Sequence, residues 1–234
     1  MKVFYDLHIH SCLSPCGDED MTPNNIVNMA LLKGLDVIAV TDHNSCGNLR
    51  AVTEVAGDRL LVLPGMEVET AEEVHVLCYF PTIAACEGMW QVLKENRLPI
   101  KNKPEIFGRQ LYMDAEDEIV GEEEYLLTTA STLSIEEVFG TAQTLGGIAV
   151  PAHIDRTSYS VISNLGFLPP HLPVTAVEIT ERNLESWQKD WSGYTILCDS
   201  DAHYLGDIAE PNHFMEIKHK KVCEILDNLT KKFC

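Results

Sequence analysis

The chain has 234 residues, with 17 Lys or Arg against 36 Asp or Glu, so its formal net charge is −19. Apolar residues make up 45% and charged residues 23%, which is typical of a globular protein and argues against disorder. The negative charge repels phosphate backbones and argues against a role in coating DNA or RNA. Because the N-terminus lacks a secretory signal pattern and no apolar run approaches the roughly 20 residues of a membrane span, we expect a cytoplasmic protein with mostly reduced cysteines.

The first half of the chain alternates β-rich runs with helical patterns. Residues 2–7 predict a strand, and Thr22 and Pro23 predict the N-cap and first residue of a helix that stops at Gly34. The near-continuous apolar run 35–41 is typical of a parallel strand that is buried on both faces. The alternation continues through a helix, two strands and a second helix, predicted at 45–56, 60–68, 74–80 and 84–95.

Residues 96–133 interrupt this alternation and are interpreted as an insert. Between Asp114 and Glu124 it carries seven carboxylates in eleven positions, which favours a solvated surface, with a cation or basic partner as the alternative. Ser134 with Glu137 three residues later predicts the capping box of a further helix. Strand patterns then return, and the chain closes on a predicted helix; these segments are 146–153, 172–180, 193–203 and 220–233.

Repeated strand–helix alternation without an internal repeat or linker predicts one α/β domain over 1–234. A closed or partly closed barrel fits this pattern better than two domains. In such barrels the chemistry collects at the C-terminal ends of the strands.

Ligand-capable side chains recur at these predicted strand ends. Each alone is weak evidence, because a lone histidine in a strand is usually a core residue, but several separate segments supply such a side chain at equivalent points. Parallel strands would bring these side chains together at one mouth. The set comprises His8, His10, His43, Glu67, His75, His153, Asp201 and His203.

The ligand types constrain the metal. Imidazole mixed with carboxylate suits zinc, manganese or iron, whereas carboxylates alone would indicate magnesium or calcium. His8 and His10 share one face of a strand, near enough to share an ion, and Glu67 could bridge two ions. Since about eight ligands exceed the need of one tetrahedral zinc, we expect two or three ions, which would make a phosphate site possible on an acidic protein.

The same residues lie in motifs that resemble those of the PHP (polymerase and histidinol phosphatase) superfamily. The motifs DLHIHS, AVTDHN, GMEVET, EEVHVLCYF, VPAHIDR and CDSDAH follow in the expected order between residues 6 and 203. The resemblance implies a distorted (β/α)7 TIM-like barrel of about seven strands. It also implies a di- or trinuclear metal centre at the C-terminal mouth, and hydrolysis of phosphoesters.

Carried over by position, the resemblance assigns the ligands to three ions. The first ion would take His8, His10, Glu67 and Asp201, the second Glu67, His75 and His153, and the third His43 and His203. Arg156 resembles a basic residue that binds the substrate phosphate. Asp42 would orient a ligand or handle a proton, with a helix or turn cap as the alternative.

One departure from the family pattern concerns the third ion. Members often carry Asp or His five or six residues after the HxH pair, where this chain has Pro15 and Cys16. Cys16 could supply a thiolate, Asp18 could reach in after a local shift, or only two ions bind.

These features favour a metal-dependent phosphatase acting on a small nucleotide, sugar or amino-alcohol phosphate. A metal-activated water would attack phosphorus while Arg156 stabilises the charge, and His203 or Asp42 would pass a proton to the leaving group. The insert at 96–133 is long for a loop, and covering the mouth would favour a small substrate. The alternatives are an exonuclease or phosphodiesterase on short oligonucleotides and a non-catalytic metal-binding regulatory domain. The sequence leaves the native metal and the oligomeric state open, and no membrane or long nucleic-acid partner is expected.

Overall fold

The computed structural model describes residues 1–230 and shows a mixed α/β fold. Eight helices and eleven strands are formed within this range. The helices are α1 (Pro23–Lys33), α2 (Leu49–Ala56), α3 (Ile83–Glu95), α4 (Pro104–Phe107), α5 (Ile135–Thr144), α6 (Val161–Leu165), α7 (Leu184–Trp187) and α8 (Val222–Leu229). The strands are β1 (Lys2–Ile9), β2 (Val37–Val40), β3 (Leu61–Val62), β4 (Gly65–Glu69), β5 (His75–Tyr79), β6 (Leu111–Met113), β7 (Ile119–Glu122), β8 (Ile148–Pro151), β9 (Ala176–Glu178), β10 (Thr195–Leu197) and β11 (Phe214–Glu216).

The predicted helix ends are confirmed where capping chemistry is present. The Thr22 hydroxyl accepts from the Asn25 N–H, and α1 ends at Gly34 with φ 81°, a conformation that favours glycine. Ser134 and Glu137 form the predicted capping box of α5. Predictions without a cap signal were less accurate: α2 starts four residues after the predicted residue 45, and the predicted strand 60–68 is two strands.

The regular ladders form four sheets, in the orders β11-β1-β2-β3, β4-β5-β8, β9-β10 and β6-β7. Isolated backbone contacts link the sheets: Ile9 with Ala202, His43 with Glu67, and the Ile154 N–H with the Glu178 carbonyl. These contacts bring the strand ends together, but within the described residues the strand pairing is not continuous from one sheet to the next. The closed barrel therefore stays a prediction.

Strand direction differs from the all-parallel expectation in three of the four sheets, since β11 is antiparallel to β1 and β7 to β6. The pairs β1–β2, β2–β3 and β9–β10 are parallel, but β5 runs antiparallel to both β4 and β8. His75 is therefore the first residue of its strand rather than the last. Because β5 runs in the opposite direction, its N-terminal end lies at the same edge as the C-terminal ends of its neighbours.

The core lies on both faces of the strands. Along β2, Val37 and Ala39 face one buried cluster while Ile38 and Val40 face the other, which explains the continuous apolar run. Helix α8 packs onto the first of these clusters. The predicted C-terminal helix 220–233 is thus formed as α8, and residues 231–233 lie outside the described part of the chain.

The insert packs beside the loop that follows β1. The Leu111 N–H donates to the Cys12 carbonyl, and Gly108, with φ 97°, approaches the Pro15 carbonyl so closely that a Cβ would clash. Its acidic stretch is partly neutralised within the insert, where Glu122 pairs with Arg109. The insert therefore supports the loop 11–16.

Candidate metal centre

One buried carboxylate lies at the centre of the polar cluster. Glu67 in β4 is 1% exposed, and its two oxygens lie 2.9–3.4 Å from ring nitrogens of five histidines. Neither oxygen has a hydrogen bond of acceptable geometry to any other part of the described chain. Buried carboxylates normally satisfy their oxygens, so this arrangement fits a cation ligand. The five histidines are His8, His10, His43, His75 and His153.

The tautomers of the two β1 histidines follow from their partners. His8 Nδ1 lies 2.8 Å from Glu178 Oε1, so a neutral His8 ring carries its proton on Nδ1 and a lone pair on Nε2. His10 Nδ1 lies 3.0 Å from Ser14 Oγ, whose hydroxyl donates to Asp42 Oδ1 at 2.7 Å. Ser14 therefore accepts from His10 Nδ1, and His10 Nε2 is also left with a lone pair.

Those two lone-pair nitrogens face each other and a carboxylate. The Nε2 atoms of His8 and His10 are 3.2 Å apart and lie 3.2 and 3.1 Å from Asp201 Oδ1. Three acceptor atoms at such distances repel one another unless a proton or cation lies between them. The donor set of two imidazoles and a carboxylate fits zinc, manganese or iron.

A second group of ligand atoms surrounds the other side of Glu67. His75 Nδ1 and His153 Nε2 lie 2.9 and 3.4 Å from Glu67 Oε1, and His43 Nδ1 lies 3.0 Å from Oε2. Glu178 positions this side too, because its Oε2 accepts from the His153 backbone N–H at 2.7 Å. The Glu178 carboxylate thus connects His8 to the segment that carries His153.

The third group comprises His10, His43 and His203, whose ligand atoms lie within 4.8 Å of one another. His203 Nδ1 lies 2.9 Å from the Asp201 carbonyl oxygen. Since a carbonyl can only accept, Nδ1 carries the proton and, in the neutral ring, Nε2 has a lone pair. The Cys16 thiol is influenced electrostatically by His43 and His203, which lower its pKa, whereas the Asp18 carboxylate accepts from the Asp20 N–H in its own turn.

Asp42 is 1% exposed and directs its carboxylate at the loop after β1. It accepts from the Ser11 N–H at 2.7 Å, the Ser11 hydroxyl at 2.6 Å and the Ser14 hydroxyl at 2.7 Å. Ser14 Oγ in turn accepts from His10 Nδ1 and the His43 backbone N–H. Asp42 thereby reaches the histidines through Ser14.

Electrostatic coupling within the cluster shifts the pKa values strongly. Burial raises the pKa of Glu67, but His75, His8 and His43 lower it well below its usual range. For His10, burial and the neighbouring His43 hold the pKa well below 6.5. Partial burial raises the pKa of the Cys16 thiol, but its bonds to His203 and His43 bring it down to about 7. For Glu67, His10 and Cys16 these directions favour an ionised carboxylate, a neutral imidazole and an accessible thiolate, the forms that bind metals. For His8 and His43 burial lowers the pKa, but the neighbouring carboxylates raise it well above 6.5.

The backbone is strained beside the cluster. Asn44, His153 and Asp201 have φ values of 47°, 26° and 51°, a region that residues other than glycine adopt rarely. Asn44 directly follows the candidate ligand His43, and His153 and Asp201 are candidate ligands themselves. All three residues lie in segments that follow a strand. Such strain concentrates at functional sites, where the surrounding structure holds it in place.

The comparison with protein families agrees with this geometry. A model of the PHP domain matches residues 6–132, more than half of the chain. The chain belongs to the PHP domain family. Members of this family are metal-dependent hydrolases, including phosphoesterases and nucleases.

Proteins similar to this PHP chain include two nucleases and an amidohydrolase. The 5′-3′ exoribonuclease Rnm of Salmonella typhimurium is 34% identical over 76 residues, which are 31% of this chain and 25% of that protein. The lesion-specific endonuclease Q of Pyrococcus furiosus superposes with a TM-score of 0.73 at 20% identity, covering 98% of this chain and 56% of that one. An amidohydrolase from Chromobacterium violaceum, solved with bound sulfate and no metal, superposes with a TM-score of 0.62 at 20% identity and covers 95% of each chain. This PHP chain therefore spans about half the length of the endonuclease and a smaller part of the exoribonuclease.

A cleft of about 550 Å³ adjoins the Asp201 side of the centre. Arg156 lines it and approaches Asp201 Oδ2 to 2.6 Å, and Arg182 also lines it. Volumes of roughly 300–1,000 Å³ suit small ligands. The residues that line this cleft all come from 153–201, so the insert does not form its wall. Within residues 1–230, no helix combines the length and the apolar surface needed to cross a membrane.

The structure brings the predicted ligand residues together, and sequence reasoning missed three residues that contact them or line the cleft. Glu178 ends β9, so the rule that found the other strand-end ligands could have found it. Ser14 gave no signal, since a serine in a loop is common. Arg182 follows β9 in a polar segment, and only the fold brings it to the cleft.

Proposed function

We propose that the chain is a metal-dependent phosphoesterase that hydrolyses a small phosphomonoester, with two or three ions held by the predicted ligands. The observation that carries this proposal is Glu67, whose unsatisfied oxygens lie among five histidine rings. His8, His10 and Asp201 would hold one ion, Glu67 with His75, His153 and His43 a second, and His203 with Cys16 would complete a third. Divalent cations in such a site supply a Lewis acid and lower the pKa of bound water.

The residues of the chain itself would bind and orient the substrate. Arg156 would form hydrogen bonds with the phosphate oxygens from the wall of the cleft, and Arg182 would add a second positive charge. Arginine suits this role because its planar fork matches phosphate oxygens. On a chain of net charge −19, these two cations and the bound metals would provide the local attraction that phosphate needs.

Proton handling and ligand orientation fall to different groups. His203 has its Nδ1 engaged by the Asp201 carbonyl, so Nε2 would be the atom that exchanges a proton with the leaving group if it is not held by an ion. Asp42 would position His10 through Ser14 rather than transfer protons. Glu178 would hold the tautomer of His8, as carboxylate partners of metal-binding histidines do.

Hydrolysis of short oligonucleotides is the second candidate. It is favoured by the likeness to the exoribonuclease and to endonuclease Q, a protein also solved with a 27-mer duplex that carries an abasic lesion. The two candidates share the metal chemistry and differ in the size of the leaving group. The cleft of about 550 Å³ would accommodate either a terminal phosphate or the end of a nucleic-acid strand.

The test combines metal content with a substrate panel. Wild-type protein, His8→Ala and His171→Ala, an exposed histidine remote from the centre, would be assayed for phosphate release from phosphomonoesters and for cleavage of labelled oligonucleotides. We expect at least two equivalents of transition metal and phosphomonoester hydrolysis in the wild type and His171→Ala, both reduced in His8→Ala. Oligonucleotide cleavage alone would select the second candidate. Metal without turnover would favour a regulatory domain, and no metal after reconstitution would refute the proposal.

A further inference from the structure

A second cluster of ligand-capable side chains lies outside the Glu67 centre. Glu181 begins the 3-10 helix Glu181–Asn183 after β9, Cys198 follows β10, and His213 precedes β11. The Cys198 thiol donates to Glu181 Oε2 at 3.1 Å, and His213 Nε2 contacts the same oxygen. Sulfur, nitrogen and oxygen ligand atoms from three separate segments therefore meet at one point.

We propose that Glu181, Cys198 and His213 form an additional binding site for a zinc-class divalent cation, separate from the Glu67 centre. Thiolate, imidazole and carboxylate are the three ligand types that zinc takes in proteins, and three protein ligands with one open position are a common zinc arrangement. Zinc–ligand bonds of about 2.0–2.3 Å place the ligand atoms of a tetrahedron about 3.3–3.6 Å apart. The three atoms lie within 4.8 Å of one another, so side-chain adjustments of about an ångström would close the site.

The burial of the ligands suits metal entry. The residue Cys198 is 4% exposed, whereas the side chains of His213 and Glu181 are 25% and 65% exposed. The Cys198 thiol is thus the buried ligand of the proposed site, and His213 and Glu181 lie on its solvent side. A cation would replace the proton that Cys198 now shares with Glu181, since thiol ligands bind in the deprotonated form.

The surroundings of the cluster favour a cation. It borders a cleft of about 190 Å³ whose wall also carries Asp199, Asp207 and Glu210. Asp199 Oδ2 is buried and has no hydrogen-bond partner among residues 1–230. Asp207 and Glu210 beside one histidine produce a negative potential that concentrates divalent cations, whereas burial, Glu178 and Asp6 raise the pKa of Asp199 and favour its neutral form.

The site would stiffen the wall of the larger cleft. Glu181 lines both clefts, and its neighbour Arg182 lines only the one beside Asp201. A metal bond at Glu181 would therefore restrict the 3-10 helix that carries Arg182 toward the cleft. The proposal stands on the cluster itself and holds whether or not the chain is a phosphoesterase.

The test measures zinc bound by variants in parallel. His213→Gln and Glu181→Gln are compared with His171→Gln, whose ring also contacts a carboxylate, Glu136, at 3.0 Å but with no cysteine in that pair. After dialysis against zinc with a weak competing chelator, we expect about one equivalent less zinc in the first two variants than in the wild type, and no change in His171→Gln. Equal zinc in all four proteins would overturn the proposal and leave a hydrogen-bonded triad.

Cobalt spectroscopy identifies the thiolate independently. In a Cys16→Ser background, which removes the thiol beside the Glu67 centre, we expect Co²⁺ to produce a near-ultraviolet sulfur-to-metal charge-transfer band. The band should disappear when Cys198→Ser or His213→Gln is added. If the buried Cys198→Ser fails to fold, His213→Gln decides, because its side chain is partly exposed. Absence of the band in Cys16→Ser, or its persistence in His213→Gln, would refute the site.

Discussion

Glu178→Gln tests whether an outer carboxylate sets the affinity of the Glu67 centre. Glu178 is 2% exposed, and it accepts from His8 Nδ1 at 2.8 Å and from the His153 N–H at 2.7 Å. Glutamine keeps the shape but has one acceptor oxygen, so one of these two donors would face an NH₂ group. A hydrogen bond to a charged group is worth about 1.5–3 kcal/mol. Loss of such partners weakens metal binding about 10- to 100-fold, which is about 1.4–2.8 kcal/mol.

The assay is competition with a chelator of known affinity, using zinc and manganese separately. Asp155→Asn is the matched control, because Asp155 is 9% exposed and bonds Thr180 and Asn183 rather than a histidine. We expect Glu178→Gln to bind metal at least tenfold more weakly while Asp155→Asn binds as the wild type does. Thermal unfolding in EDTA checks that both variants are folded. Unchanged affinity in a folded Glu178→Gln would refute the positioning role.

Four further predictions follow from the same structure. In a His213→Gln background, which removes the Cys198 site, Cys16→Ser should lower the metal content by up to one equivalent and remove the remaining sulfur-to-cobalt charge-transfer band; retention of both the metal and the band would exclude Cys16 as a ligand. Arg156→Ala should lower kcat/KM on the best phosphomonoester about 10- to 100-fold with unchanged metal content, and Arg156→Lys should recover part of the loss; an equal kcat/KM would remove Arg156 from substrate binding. Burial raises the pKa of Asp155, but hydrogen bonds from Thr180 and Asn183 lower it below the usual 3.8. The stability that Asp155 contributes is therefore present at neutral pH and lost as the pH falls through the lowered pKa. The difference in Tm between the wild type and Asp155→Asn should shrink in acid, and a constant difference would contradict the pKa shift. Ser134→Ala should destabilise by about 1 kcal/mol through loss of the α5 cap, measured by denaturant unfolding, with Ser186→Ala as an exposed control.

The sequence predictions were accurate for structure that depends on contacts between residues close in sequence, and less accurate for structure that depends on contacts between distant residues. Thr22, Gly34 and Ser134 act on the backbone within a few residues, so the ends of α1 and α5 could be predicted. The hairpin β6–β7 and the strand β11 escaped prediction because their pairing partners and packing are set by the rest of the chain. Intrinsic β preference is weak compared with such tertiary contacts.

The convergence of the candidate ligands was predictable because the ends of neighbouring strands meet. Placing His8, Glu67 and His153 required only strand patterns and the ligand preferences of metals. The reversed direction of β5 could not be predicted, because a short apolar strand looks the same in either direction. His75 therefore lies beside Glu67, at the predicted edge, although its strand runs the other way.

The amino-acid sequence by itself determined the α/β class, the family and the residues able to bind metal, because these depend on residue type and local periodicity. Only the tertiary structure decided which oxygen faces which ring nitrogen, and that Glu178 joins His8 to His153 across 145 residues of chain. It also decided that Glu181, Cys198 and His213 meet. Such contacts depend on ångström distances between segments far apart in sequence, and these distances arise only when the core packs.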